Sequence, residues 1–169
     1  MPVRRDLTIV QMNDSHAYLD LHQELFWKGD HAEYRKAGGY ARIATLLNQM
    51  REERQGQVLV FDGGDTIHGT YAAVKTQGEA LIPILNAMHF DAMTAHWEFA
   101  YGPEQLRKVV KQLSYPLLAC NVYDKISQEL VFPAYKICEV SGLRVGVIGI
   151  AATIDQRSAV IFPLHSRKT

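Results

Sequence analysis

Apolar residues along the chain fall into short continuous runs separated by longer amphipathic stretches. LTIVQ (Leu7–Gln11) is the first run, and its length and β-branched content predict a buried strand ended by the polar NDSH. Between Gly38 and Arg54 the period changes. Ala41, Ala44, Leu47 and Met50 recur at helical spacing, Gly39 opens the stretch and charged residues crowd its exit. VLVFD (Val58–Asp62) predicts a second strand, stopped by Gly63 and Gly64. Glu79 to Met88 reads as a helix if Pro83 lies in its first turn, where a missing N–H costs nothing. DAMTA (Asp91–Ala95) predicts a third strand, Pro103 opens the helix PEQLRKVVKQL, and PLLAC (Pro116–Cys120) predicts a fourth strand. PAYKICEV and RVGVIGI flank Ser141, Gly142 and Leu143 and predict a hairpin.

Strands alternating with helices predict an α/β fold whose partly parallel sheet is covered on both faces, and the hairpin makes it mixed. Four of the strands end in polar clusters, NDSH, DGGD, AHWE and CNVYD. Loops beyond the carboxyl ends of strands form the site in open α/β sheets, so four clusters distant in sequence are expected on one rim.

Composition narrows the partners. At 169 residues and 47% hydrophobic content the chain suits one domain with a real core. Lys+Arg and Asp+Glu are both 18, which offers no electrostatic attraction to a nucleic acid polymer or an anionic membrane. No apolar run approaches the roughly 18–20 residues of a membrane span. MPVRRDLTIV has two arginines without the apolar core and cleavage site of a leader, which points to the cytoplasm, or to export if a leader has been removed. Cys120 and Cys138 lie in apolar runs without CxxC spacing and read as buried, reduced thiols.

The clusters carry the chemistry. Asp14 and His16 form a D-x-H pair able to offer a carboxylate and an imidazole to one cation, although an Asx-type turn with a solvated His is the commoner use of such a tripeptide. In DGGDT, Gly63 and Gly64 permit a sharp turn that brings Asp65 close to a cleft, where its two oxygens could bridge two cations; a helix N-cap is the alternative. His96, beside Trp97, is by itself better explained as a packed, hydrogen-bonded core residue than as a ligand. The three motifs together, each at a strand end, favour a metal site more than any one does alone.

The order NDSHAYL, AGGYARIATLL, VFDGGDT, MTAHWEFAYG, ACNVYD resembles the N-terminal catalytic domain of the 5'-nucleotidase family of metallophosphoesterases, up to about Ala152. The resemblance implies a calcineurin-like four-layer α/β/β/α sandwich with two divalent metal ions (Mn, Zn or Fe). It also implies a metal-activated water that cleaves a small phosphorylated, nucleotide-like substrate. Asp14, His16, Asp65 and His96 match metal ligands. Asp62 matches the strand-end residue before the glycines, Arg42 a residue of a helix start near the site, and Asn121 a residue of a motif behind it that implies a catalytic role alongside His96. His68 is expected to line the cleft or support a ligand; His22, His31 and His89 are expected on the surface.

The stretch from Ala92 to Gly102 departs from the usual GNHEFDYG pattern. His96 stands at the Asn position, Trp97 at the His and Ala100 at the Asp. His96 remains a competent ligand, but Trp97 cannot serve as a general acid and Ala100 cannot orient one. Trp97 is therefore expected to meet substrate or back the site. The His-Trp-Glu-Phe order is similar to the thiosulfohydrolase (SoxB) branch, dimanganese enzymes acting on carrier-bound sulfur. The family's later histidine and G-H-x-H motif have no match, His165 being in the wrong context. The expectation is thus a single domain, residues 1–169, incomplete at its C-terminus and lacking the substrate-binding domain. A non-catalytic fragment or interaction domain is the reading from another class. A homodimer through the sheet face left uncovered near RVGVIGI is also expected.

Overall fold

A computed structural model describes residues 6–153 and 161–162. The elements run β1 (Thr8–Met12), β2 (Leu21–Lys28), β3 (His31–Gly38), α1 (Tyr40–Glu53), β4 (Val58–Asp62), α2 (Tyr71–Thr76), a 3₁₀ turn (Glu79–Leu81), α3 (Ile82–Met88), β5 (Ala92–Met93), a second 3₁₀ turn (Glu98–Tyr101), α4 (Pro103–Val110), β6 (Tyr123–Asp124), β7 (Tyr135–Val140), β8 (Leu143–Ile148) and β9 (Ile161–Phe162).

The platform is a parallel sheet in the order β1-β4-β5, with Val10 opposite Val60 and Phe61 opposite Ala92. β4 explains the layering. Side chains alternate across a strand, so Val58 and Val60 face the helices and join a core with Leu47, Leu85 and Leu106. Leu59 and Phe61 face the other way and pack against Cys138, Val140, Val145 and Val147 of the β7–β8 hairpin. A strand covered on both faces has no polar side, which is why VLVFD is apolar until its last residue. The described residues therefore form three layers, helices on sheet on sheet, within the expected α/β sandwich.

Several elements depart from the sequence reading. The strand Thr8–Met12 is half-buried, because it lies at the sheet edge beyond the hairpin's reach and leaves Ile9 61% exposed. The helix expected from Glu79 begins as a 3₁₀ turn and becomes α-helical at Ile82, with Pro83 in its first turn as required. DAMTA shortens to Ala92–Met93, and PLLAC reduces to a single parallel bridge between Met93 and Leu117. The helix from Pro103 ends at Val110 rather than Leu113. The hairpin closes through Ser141 (φ 48°) and Gly142 (φ 72°), a two-residue turn with both φ positive, and Leu143 pairs with Val140. The antiparallel ribbon β2–β3 and the helix α2 were not anticipated; alternation in LHQELFWK ahead of Gly29 was the available signal for the ribbon. No helix among the described residues is long and apolar enough to cross a membrane. Cys138 is buried and Cys120 half-buried, both free thiols.

The far side of the hairpin is apolar and open, with Tyr135, Ile137, Ile148 and Ile150 between 42% and 68% exposed. At Gly149 the chain crosses from the hairpin to the sheet. Its N–H donates to Ala134 and its carbonyl accepts from Cys120. A Cβ there would overlap the Leu118 carbonyl, whereas one at Gly146 would meet only Ile137 Cδ1 at 3.8 Å. Gly149→Ala is expected to cost at least about 1–3 kcal/mol, the range for overpacking. Gly146→Ala is expected to be neutral or to stabilise by about 0.5–1 kcal/mol through the lost flexibility of glycine. Urea denaturation of the two variants measures the difference, and equal midpoints would contradict this account of the crossing.

Candidate metal centre

Three strand-end loops are bonded into one structure. The loop after β1 is tied to the loop after β4 by backbone bonds: Asp14 N–H donates to Gly64 O, and His16 N–H to Asp65 O, both at 2.9 Å. The loop after β5 is tied in by Glu98, which is fully buried. One of its carboxylate oxygens accepts the Thr66 N–H (2.8 Å) and the other the His96 N–H (2.6 Å). Glycine makes the approach possible. A Cβ on Gly64 would stand 2.7 Å from His96 N, and one on Gly63 would stand 2.8 Å from Asn13 Cβ.

Asp65 lies where these loops meet, 3% exposed. Its Oδ2 is 2.9 Å from His96 Nδ1 and 3.3 Å from His16 Nε2, and its Oδ1 faces His68 Nε2. Two groups of ligand-type atoms result, each lying within 4.8 Å of one another: Asp14, Asp65 and His96, and His16, Asp65 and His68. Asp65 belongs to both, as a carboxylate shared by two cation positions would. Asp14 (φ 54°), His16 (φ 48°) and Asp65 (φ 62°) all hold left-handed backbone without being glycine. Each such residue costs on the order of 1 kcal/mol or more and persists where surrounding structure enforces it, commonly at functional sites.

The donor set of imidazole and carboxylate suits a divalent transition metal. Two of its atoms, Asp65 Oδ1 and His68 Nε2, are buried and face each other without the geometry of a hydrogen bond. Buried charges in folded proteins are paired or coordinate metals, so the residues present fit a cation. The Asn13 amide, 2.6 Å from Asp14, holds the Asp14 carboxyl below the usual carboxylate range, with smaller help from His96 and His16. Asp62 behaves oppositely. Burial pushes its carboxyl up to about 7, and nearby Glu98 adds to the effect, against hydrogen bonds from Gly64 N–H and Thr66 Oγ1–H.

The structure thus brings together Asp14, His16, Asp65 and His96, and adds His68 as a group touching Asp65 directly. Asp62 lies beneath them and organises the DGGDT turn. Trp97 stands on the rim, 39% exposed, its ring edge-on to His96 with centroids 6.2 Å apart. Asn121 is in neither ligand group: its amide donates to Ala151 O and accepts from Ala151 N–H, both at 2.8 Å, and so pins the segment after β8, whose Ala152 N–H donates to Ala95 O beside His96. Arg42 is exposed on α1 and belongs to neither ligand group. Of the other histidines, His31 and His89 are exposed, while His22 is half-buried between Asp20 O and Glu24. His165 lies outside the described residues. The role of Glu98 was not foreseen; a carboxylate two residues beyond a candidate ligand was the only signal.

A parallel sheet, helices and a second sheet, with strand-end loops converging on a shared aspartate, make the fold that of the calcineurin-like phosphoesterases. The comparisons agree and narrow it. The chain is 31% identical over 149 residues to the protein UshA of Yersinia enterocolitica, an alignment covering 86% of this chain and 25% of that protein. Among solved structures it is similar to the NAD nucleotidase of Haemophilus influenzae (TM-score 0.78, 28% identity, 91% of this chain and 28% of that one). It is also similar to the calcineurin-like phosphoesterase YfkN of Bacillus subtilis (TM-score 0.67, 27% identity, 90% and 51%). The sulfate thiohydrolase SoxB of Thermus thermophilus shares the fold (TM-score 0.77, 22% identity, 89% and 36%). No family model matches. The chain is homologous to the 5'-nucleotidases and spans about a quarter of the length of the curated relatives it matches.

Two outcomes test this centre. Asp65→Ala is expected to weaken manganese or zinc binding more than His96→Ala, because Asp65 supplies a buried charge to both groups and His96 a neutral donor to one. Calorimetric titration gives the order, and equal losses would contradict a shared carboxylate. For Asp62, the folded carboxyl titrates near 7 against an ordinary value of 3.8. It is then neutral in the fold where it is ionised in the unfolded chain. Its contribution is complete below the unfolded value and lost as pH rises through about 7. The stability of Asp62→Asn relative to the parent should therefore increase from pH ~4 to pH ~7, by up to about 4 kcal/mol at 1.36 kcal/mol per pH unit. Urea titrations of metal-free protein across that range report it; a constant difference would show that Asp62 ionises normally.

Proposed function

We propose that this chain carries the metal-binding loops of a hydrolase that cleaves a phosphoester of nucleotide type. The observation that supports it is the convergence of Asp14, His16 and His96 on the buried Asp65 from three strand-end loops. A divalent cation held there supplies Lewis acidity toward a phosphoryl oxygen and lowers the pKa of water enough for attack near neutral pH. The chain's own residues do the positioning. Asp65 presents both oxygens, Asp14 is kept ionised by Asn13, and Glu98 fixes the backbone that aims His96. Trp97 has no proton to give from a titratable group, so protonation of the leaving group must come from elsewhere or be unnecessary. Its exposed ring instead offers a flat face to a substrate.

The His96–Trp97–Glu98–Phe99 order favours a second reading, hydrolysis of a carrier-bound sulfur with loss of sulfate. A leaving thiolate is a weaker base than an alkoxide and has less need of an acid at the Trp97 position. Purified chain with manganese or zinc is assayed against p-nitrophenyl phosphate, a nucleoside monophosphate and an S-sulfonated thiol peptide. Phosphoester turnover abolished by chelation and by Asp65→Ala is expected. Turnover of the sulfur substrate alone would favour the second reading, and a metal-loaded chain inert to all three would favour a binding role. The open hairpin face is proposed as a homodimer contact. Light scattering is expected to show a species of twice 19.1 kDa that Ile148→Lys dissociates, and a parent that stays monomeric at all concentrations would remove the proposal.

A further inference from the structure

We propose that His68 is itself a metal ligand, completing a His16–Asp65–His68 site inside this chain. The inference rests on the metal reading of Asp65 but adds a residue outside the motif positions that carry the family resemblance. Three observations support it.

The first is geometry. His68 Nε2 faces Asp65 Oδ1 while His16 Nε2 lies 3.3 Å from Asp65 Oδ2. The two imidazoles meet edge to face, with centroids 5.1 Å apart. One donor atom from each of His16, Asp65 and His68 therefore lies within 4.8 Å of the others, a spacing suited to one cation with ligand bonds of roughly 2.0–2.2 Å.

The second is burial. Asp65 is 3% exposed, and His68 Nε2 is buried against its Oδ1. A buried carboxylate needs a partner that offsets its charge. A divalent cation held by His16, Asp65 and His68 would supply that offset and use the imidazoles as neutral donors.

The third is the way the turn is held. Ile67 is 1% exposed and anchors the residue before His68 in the main core. Gly69 (φ +109°) follows, and a Cβ there would stand 2.6 Å from His16 O. The backbone thus runs from the core, through His68, directly against the backbone of His16. Both imidazoles are carried by segments in mutual contact, and neither needs a moving loop to reach the cation.

Cobalt(II) is the probe, because it is paramagnetic and suits the same donors. Proton NMR of the cobalt-loaded chain is expected to show hyperfine-shifted imidazole signals from three histidines, His16, His68 and His96. His68→Gln, whose carboxamide fills the space and is a poorer ligand, should remove one of the three. It should also weaken cobalt binding by roughly 100-fold or more, beyond the 10–100-fold typical of groups that only support a ligand. His68→Ala should do the same, with circular dichroism confirming that both variants fold. If the parent binds cobalt with shifted signals from His16 and His96 alone, unchanged in His68→Gln, the role of His68 falls and the metal centre stands. If the parent binds no cobalt, both readings fall together.

Discussion

A carboxylate at 3% exposure is costly to keep charged unless its surroundings return what water supplied. Among the described residues, Asp65 answers that demand with three imidazoles and no ion pair to Lys or Arg. Neutral imidazoles compensate an isolated carboxylate poorly, and charged ones would repel one another at these separations. A divalent cation would resolve the conflict, with Asp65 and Asp14 offsetting its charge and the imidazoles serving as neutral donors. Much of the local architecture follows from placing and holding this one group.

Holding it falls to backbone bonds and to Glu98. The parallel sheet brings the ends of β1, β4 and β5 to one edge, but strands alone do not set loop geometry to the precision a ligand sphere needs. That precision comes from Asp14 and His16 bonding to the backbone of Gly64 and Asp65, and from Glu98 spanning Thr66 and His96. Left-handed backbone at three of the candidate ligands is the accompanying conformational cost. The helical core beneath, with Val60, Leu85 and Leu106 almost fully buried, supplies the stability against which such strain can persist.

Under the proposed function, the chemistry would turn on Trp97 and Ala100. The candidate ligands converge on Asp65, whereas neither Trp97 nor Ala100 offers a titratable proton. A cation held there would then rely on a good leaving group more than on general acid catalysis. The exposed indole, edge-on to His96, is proposed as a contact surface for substrate.

What the sequence by itself determined was the alternation of elements, the hairpin at Ser141–Gly142 and the identity of Asp14, His16, Asp65 and His96. Those are legible because hydrophobic period and turn chemistry act over a few residues, and because three motifs at strand ends are jointly improbable without a shared site. The tertiary structure decided the rest. PLLAC has a strand's composition, but only one residue pair bridges it to Met93, since neighbours rather than propensity complete a ladder. Asn121 bonds with both ends of its amide to Ala151, thirty positions along the chain, and the next residue, Ala152, is bonded to Ala95 beside His96. His68 is expected from the sequence to line the cleft or support a ligand, but its direct contact with Asp65, on a turn whose Gly69 lies close against His16, appears only in the fold. In each case the deciding contact joins residues far apart in sequence or fixes the orientation of a turn. No local pattern encodes those distances.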